Sequence, residues 1–190
     1  MSVRLTSTTK NLHNDTTNII SNTYDINNNK IVTRFDSNGD GIPENIDTFT
    51  YHENGKLLTI SNDTDADGVL NSIKIYTYDS NNEVSKISID NNADSIIDTV
   101  SHYRFDTKGN VLNISEDTNL DDIPDGIYTA SYDENNNLLT EISDNDADDN
   151  PDFIIKYTYD SNDNLLTREL DMDGNGIPEM TETLTWIEIL

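Results

Sequence analysis

The chain has 190 residues, with 11 Lys and Arg against 37 Asp and Glu, and its net charge is -26. Because nucleic acids and anionic lipid surfaces require basic protein surfaces, this charge excludes both as partners. Hydrophobic residues make up 33% of the chain and cysteine is absent, so we expect a thin core without disulfides or thiolate metal sites, and no segment inserted into a membrane.

A period of 27 residues organises the chain, and an aromatic residue marks each step. The aromatics are Tyr24, Tyr51, Tyr78, Phe105, Tyr132, Tyr159 and Trp186. A fixed period of this length is typical of arrays of small structural units. Residues 1–23 are predicted to form a degenerate capping unit, because the positions of its acidic loop hold Thr9, Asn11, His13 and Thr17. Residues 24–180 form six repeats, and residues 181–190 form a closing strand.

Each repeat contains the pattern of a β-hairpin. Polar and apolar residues alternate in Ile46–Tyr51 and Phe153–Tyr159, which predicts a strand that ends at the aromatic. A turn rich in Asn and Asp follows, and then a second strand such as Val111–Ile114 or Leu138–Ile142. The sequence therefore predicts an all-β fold of tandem antiparallel β-hairpins, arranged as an elongated meander or as a β-solenoid, with calcium-binding loops between them.

A nine-residue acidic loop closes each repeat. Oxygen-bearing side chains occupy loop positions 1, 3, 5 and 9, where they can converge on one ion together with the backbone carbonyl of position 7. The predicted ligands are Asp36, Asn38, Asp40, Ile42, Glu44; Asp63, Asp65, Asp67, Val69, Asn71; Asp90, Asn92, Asp94, Ile96, Asp98; Asp117, Asn119, Asp121, Ile123, Asp125; Asp144, Asp146, Asp148, Asn150, Asp152; and Asp171, Asp173, Asn175, Ile177, Glu179. We predict calcium as the cofactor, with about six ions, one for each loop.

The motif Asp63-x-Asp65-x-Asp67-Gly68 resembles the calcium loops of EF-hands and, more closely, those of thrombospondin type 3 repeats and dockerins. The resemblance implies calcium as the ligand, with plain Asx turns or magnesium as the alternatives. The Glu that EF-hands carry at position 12 is replaced by Asp47, Lys74, Ser101, Tyr128, Ile155 and Glu182. The glycine of position 6 is replaced by Ser95, Asp122 and Asp149, and we expect weaker or strained sites in those loops.

The hairpin half of the repeat carries a second resemblance. The strings Tyr76-Thr77-Tyr78-Asp79 and Tyr157-Thr158-Tyr159-Asp160 are similar to the YD repeats of Rhs-type proteins, whose hairpins coil into a large shell. This resemblance implies tandem antiparallel hairpins. It also gives one candidate function, in which the chain is a fragment of a YD-repeat toxin shell.

The sequence predicts a structural protein and not an enzyme, because His13, His52 and His102 do not recur with the period. We expect a calcium-stabilised stalk, spacer or fibre-forming segment of a bacterial surface or matrix protein. The terminal strands, residues 3–6 and 183–190, are predicted to pair between subunits. The alternative is a calcium-dependent adhesin or carbohydrate-binding module, with loop 144–152 as its site. Calcium loops of millimolar affinity fill only outside the cell, so an extracellular or cell-surface location is expected.

Overall fold

The computed structural model describes residues 4–13 and 16–186, with side chains from Asn18 onward. Over these residues the chain forms fourteen β-strands and no helix. The strands are β1 (Arg4–His13), β2 (Thr16–Tyr24), β3 (Lys30–Asp36), β4 (Asn45–Tyr51), β5 (Leu57–Asp63), β6 (Ser72–Tyr78), β7 (Val84–Asp90), β8 (Thr99–Phe105), β9 (Val111–Asp117), β10 (Gly126–Tyr132), β11 (Leu138–Asp144), β12 (Phe153–Tyr159), β13 (Leu165–Asp171) and β14 (Met180–Thr183). The described residues therefore include no helix of the length and apolarity needed to cross a membrane.

Within the sheet, strands that are neighbours in the chain lie side by side in each of two compact units. Contacts group the chain into two compact units, one containing residues up to Tyr78 together with Ile87–Asp98, the other containing Asp79–Lys86 and the residues from Thr99. In the first unit β1 to β6 pair in succession, and in the second β8 to β14 do so, always antiparallel. The prediction of an all-β array of tandem hairpins is confirmed, in the form of an open meander.

A β-bulge lies next to the periodic aromatic in five hairpins, namely β2–β3, β4–β5, β8–β9, β10–β11 and β12–β13. In the β4–β5 hairpin, Thr50 lies opposite Thr59 whereas Tyr51 lies opposite Leu57, so the register shifts by one residue. The same shift precedes the aromatic in the other such hairpins. The fourth residue after the aromatic has a positive φ in six repeats, at Asn28, Gly55, Asn82, Gly109, Asn136 and Asp163. Asn, Asp and Gly are the residues that adopt this left-handed conformation at least cost.

The residue after the aromatic holds the hairpin turn together. The carboxylate of Asp160 accepts hydrogen bonds from the amides of Asn162 (2.8 Å) and Asn164 (2.9 Å), and from the side chain of Asn164 (3.0 Å). The same three bonds form at Asp25, Asp106 and Asp133. At Asp79 only the two amide bonds form, because Glu83 stands where the other turns have Asn. The side-chain bond from Asn164 lowers the pKa of Asp160, so its charged form is favoured in the folded state.

The apolar core is thin, as the composition predicts. Among the residues with described side chains, Ala130 and Ile155 are the buried hydrophobic ones. Most other apolar side chains of the strands are half-buried. Polar pairs lie between them, such as the hydroxyls of Thr158 and Thr167 at 2.6 Å. A fold with so little buried apolar area gains little stability from the hydrophobic effect.

Candidate metal centre

Each acidic loop begins on the last residue of a strand. The Asp of loop position 1 is the last residue of every second strand, namely β3, β5, β7, β9, β11 and β13. Its backbone is therefore positioned by the β-sheet. Five of these residues are buried, with 2% to 8% of their surface exposed: Asp36, Asp63, Asp90, Asp144 and Asp171. Asp117 is half-buried. Buried carboxylates are costly unless hydrogen bonds or cations compensate their charge, so this position marks the interior of a polar site.

The residue at loop position 9 closes each loop. In the first loop the amide of Glu44 donates to the carbonyl of Phe35 (2.8 Å), and its carboxylate accepts from the amide of Ser37 (2.7 Å). The position 9 side chain accepts from the position 2 amide in all six loops, at 2.6–2.7 Å. Position 9 is thereby fixed beside position 1, although eight residues separate them in sequence.

Backbone amides wrap around the side chains of positions 1 and 5. The amide of position 6 donates to a carboxylate oxygen of the position 1 Asp in every loop, at 2.6–3.0 Å. The amide of position 7 donates to the side chain of position 5, at 2.8–2.9 Å. This geometry requires a left-handed backbone at positions 4 and 6. Positive φ values occur there at Gly39, Gly41, Ala66, Gly68, Ala93, Ser95, Leu120, Asp122, Ala147, Asp149, Gly174 and Gly176.

Carboxylates converge in four of the loops. The members of each group have one carboxylate oxygen apiece within 4.8 Å of those of the other members. The groups are Asp36, Asp40 and Glu44; Asp63, Asp65 and Asp67; Asp144, Asp146 and Asp152; and Asp171, Asp173 and Glu179. All twelve residues are among the predicted ligands. Oxygen atoms at this separation surround a volume that one hard cation such as Ca²⁺ or Mg²⁺ can occupy.

Other predicted ligands do not join such a group. The carboxylates of loops 90–98 and 117–125 form none among the described residues, and Asp148 lies outside the group of its own loop. The role of the Asn side chains and of the position 7 carbonyls stays a prediction. The position 7 side chains of Ile42, Val69, Ile96, Ile123 and Ile177 are 65–70% exposed, so their contribution to packing is small.

One buried oxygen in these groups has no hydrogen-bond partner. Asp63 is 5% exposed, and its Oδ2 accepts from the amide of Gly68 (2.9 Å), whereas Oδ1 is buried and unpaired. The other unpaired buried oxygen of the described residues is Oδ1 of Asn45, at the start of β4. An unpaired buried carboxylate oxygen is costly in free energy, and a bound cation would remove that cost. The residues present therefore fit a metal ion.

Like charges crowd the fifth loop. The negative charge of Asp148 raises the pKa of Asp146, with a further contribution from Asp152. A raised pKa means that the ionised form of Asp146 is disfavoured by its neighbours. A divalent cation in the group formed by Asp144, Asp146 and Asp152 would reverse this repulsion, since it attracts all three carboxylates.

Residues at loop position 2 support the site, and the sequence did not reveal them. The hydroxyls of Ser37, Thr64 and Thr118 donate to the position 9 side chains of their loops, at 2.6–3.0 Å. These hydroxyls are not predicted ligands themselves, but their bonds orient the position 9 oxygen, which is one. The signal that could have identified them is the recurrence of a hydroxyl at position 2 in three of six loops.

Comparison with known proteins relates the chain to others by fold. No protein-family model matches the sequence, and no curated protein matches it. Among solved structures, TcdB2-TccC3 without its hypervariable C-terminal region aligns with a TM-score of 0.53 and 16% identity. The alignment covers 90% of this chain and 10% of that one, so this chain spans about a tenth of the length of its match. At this identity the match shows a shared fold of β-hairpins and nothing further.

Two other solved structures align less well. The Tc holotoxin pore of Photorhabdus luminescens has a TM-score of 0.44 and 16% identity, covering 81% of this chain and 9% of that one. A porin-like protein from Bacteroides uniformis has a TM-score of 0.43 and 13% identity, covering 94% and 92%.

Proposed function

We propose that the chain is a calcium-stabilised structural repeat array from the outside of a bacterial cell, serving as a stalk, spacer or fibre-forming segment. The observation that carries this proposal is the convergence of carboxylates in four loops, where the Asp of position 1 is joined each time by two of positions 3, 5 and 9. Asx turns alone do not require positions 1, 3, 5 and 9 to bring charged oxygens together, since like charges repel.

The thin core gives the ions their role. The buried apolar residues of the described chain are only Ala130 and Ile155, and the net charge is -26. Self-repulsion of that size opposes folding, and divalent cations bound in the loops oppose the repulsion. Extracellular calcium modules bind with constants of about 0.1–1 mM, which extracellular calcium fills and cytosolic calcium does not. Loops of this affinity would be filled outside the cell, which supports the proposed extracellular location.

Association between copies through strand edges is part of the proposal. Strand β14 forms the end of the meander, and all four of its residues, Met180–Thr183, are exposed. Its outer backbone groups can pair with a strand of another copy. The terminal segments predicted for this pairing lie partly outside the described residues, at Val3 and at residues 187–190.

A second candidate function is supported by the structural comparison. The match to TcdB2-TccC3 agrees with the YD-like strings of the hairpins, so the chain can be a segment of a larger shell built from such hairpins. Electron microscopy of the purified protein separates the two: the stalk proposal predicts filaments or extended particles in millimolar calcium. Closed hollow particles would support the shell. Binding to a glycan array only in calcium would instead support the adhesin.

Calcium binding itself is tested by equilibrium dialysis with two matched variants. The first replaces the position 1 Asp of the four converging loops by Asn, at Asp36, Asp63, Asp144 and Asp171. The second replaces four exposed Glu residues outside the acidic loops by Gln, at Glu53, Glu83, Glu116 and Glu134, which removes the same charge. We expect four or more calcium ions per chain in the wild type and in the Glu variant, and a loss of four in the loop variant. Equal binding by all three proteins would contradict the proposal.

A further inference from the structure

The six loops differ in the state of one atom, Oδ1 of the Asp at position 1. In loop 63–71 this oxygen is buried and has no hydrogen-bond partner. In each of the other five loops it accepts at least one backbone amide of its own loop. The donors are Gly39 to Asp36 (2.5 Å), Asn92 and Asp94 to Asp90 (3.3 and 3.2 Å), Leu120 to Asp117 (2.6 Å), Asp148 to Asp144 (3.2 Å) and Asn175 to Asp171 (3.2 Å).

This difference changes what a cation must do on entering. In five loops the ion competes with an amide for the oxygen, so part of the binding energy is spent on weakening an existing hydrogen bond. In loop 63–71 the ion meets an oxygen of Asp63 that is buried away from water and accepts no hydrogen bond. The carboxylates of Asp63, Asp65 and Asp67 are gathered, as are those of the other three converging loops, so the unpaired oxygen is what distinguishes loop 63–71 from them. No hydrogen bond to this oxygen has to be weakened when the ion binds, which favours affinity.

Position 9 of this loop is a neutral side chain that is held in place. Oδ1 of Asn71 accepts from the amide of Thr64 (2.6 Å) and from its hydroxyl (2.8 Å). The loop therefore closes without a fourth carboxylate. By charge alone, loop 144–152 would bind more tightly, because Asp144, Asp146, Asp148 and Asp152 supply four carboxylates. Preorganisation and charge count thus favour different loops.

We infer that loop 63–71 is the first of the six loops to bind calcium, and that its unpaired Asp63 oxygen sets this order. The inference rests on the proposed function, since it ranks sites which that function requires. Filling of this loop precedes filling of loop 144–152 despite the smaller number of carboxylates. The order follows from the hydrogen-bond state of position 1 and not from the net charge of the loop.

A calcium titration of the ¹⁵N-labelled protein, followed by nuclear magnetic resonance, tests the order loop by loop. The position 6 amide of each of the six loops donates to the position 1 carboxylate and so reports on its own loop. These amides belong to Gly41, Gly68, Ser95, Asp122, Asp149 and Gly176. We expect the Gly68 resonance to reach its calcium-bound position at a calcium concentration several-fold lower than the others. Movement of any other of these amides first, or of all six together, would overturn the inference while leaving calcium binding intact. No movement at millimolar calcium would instead refute the proposed function.

Two matched substitutions locate the cause of the order. Asp63→Asn and Asp144→Asn each remove one charge from position 1 of a converging loop. Asp63→Asn should abolish the first binding step and leave the response of Asp149 in place, whereas Asp144→Asn should leave the early response of Gly68 unchanged. Loss of the first step in Asp144→Asn would show that charge count sets the order. Because the wild-type titration already ranks the loops, the inference stays falsifiable if either variant fails to fold.

Discussion

The hydroxyl of Tyr51 donates a hydrogen bond of 2.7 Å to the backbone carbonyl of Lys30, which lies 21 residues earlier in the chain. Lys30 begins β3 and Tyr51 ends β4, so the bond ties one hairpin to the next. The same contact recurs between Tyr78 and Leu57, between Tyr159 and Leu138, and between the indole N–H of Trp186 and Leu165. At these four steps the periodic aromatic therefore connects successive repeats.

Removal of one such hydroxyl should lower the stability of the array. Tyr159→Phe leaves the ring in place and the carbonyl of Leu138 without its donor, which costs about 1 kcal/mol. Urea unfolding in excess calcium measures the change. The matched control is Tyr132→Phe, at a step of the period where the described structure forms no such bond, and this variant should be nearly neutral. Equal losses in the two variants would mean that the hydroxyl is not the source of the effect.

Ser95 should be replaceable by Gly with a gain in stability. It occupies loop position 6 with a φ of 76°, in a conformation that costs a residue with a Cβ about 1–2 kcal/mol. The added freedom of Gly in the unfolded chain costs about 0.4–1 kcal/mol, which is less. Ser95→Gly should therefore raise the free energy of unfolding by about 0.5 kcal/mol. The reciprocal change at the equivalent position, Gly68→Ser, should lower it. A destabilised Ser95→Gly protein would contradict the assignment of strain.

Gly174 and Gly176 should respond differently to the same substitution. Both have a positive φ, of 66° and 89°. A Cβ on Gly174 would overlap the carbonyl oxygen of Pro151, whereas a Cβ on Gly176 would meet no atom within 4 Å. Gly174→Ala should thus destabilise the protein by about 1–3 kcal/mol more than Gly176→Ala, because backbone must move to relieve the overlap. Thermal unfolding of the two variants gives the comparison, and equal melting temperatures would rule out this contact between loops.

Glu141 should control the alkaline titration of two tyrosines. Its carboxylate accepts from the hydroxyls of Tyr128 (2.9 Å) and Tyr157 (2.6 Å). Burial, followed by the hydrogen bond and charge of Glu141, raises the pKa of Tyr157 to about 12 and also raises the pKa of Tyr128. The folded-state pKa is above the unfolded value of about 10, so this stabilisation is complete below pH ~10 and is lost as the pH rises through about 12.

Glu141→Gln keeps an acceptor and removes the charge. The near-ultraviolet absorbance of tyrosinate should then develop at a lower pH than in the wild type, because the pKa of Tyr157 falls toward its usual value. The matched control is Glu134→Gln, which removes a charge from an exposed hairpin turn. Superimposable titration curves for wild type and Glu141→Gln would contradict the assigned role of Glu141.

Much of the fold could be predicted because its signals are local. Alternation, turn residues and the 27-residue period all act within one repeat, and they identified the hairpins. The ends of the second strands were predicted too short. Val111–Ile114 was expected, whereas β9 extends to Asp117, because Glu116 pairs with Gly126 of the next strand. Backbone pairing with the following strand continues past the last apolar residue of a strand. The alternation of polar and apolar side chains therefore does not reveal where the strand ends.

The candidate site was predictable in composition but not in geometry. The spacing of the carboxylates predicted a ligand set, and in four loops the structure brings three carboxylates of that set within 4.8 Å of one another. Loop 117–125 has the same spacing, yet its carboxylates do not come together as those of the four converging loops do. Whether a carboxylate oxygen faces an ion site or a backbone amide depends on rotamers and loop conformation, which residue identity alone does not specify. For the same reason the unpaired oxygen of Asp63 could not be predicted.

Thermal unfolding followed by circular dichroism tests directly whether calcium is a structural ligand of this fold. With dissociation constants of about 0.1 mM, calcium at about 1 mM stabilises the fold by about 1.4 kcal/mol per site, or about 6 kcal/mol for the four converging loops. We expect a markedly higher melting temperature in millimolar calcium than in EDTA, and a much smaller increase in magnesium. The same melting temperature in EDTA and in calcium would show that calcium does not stabilise the fold.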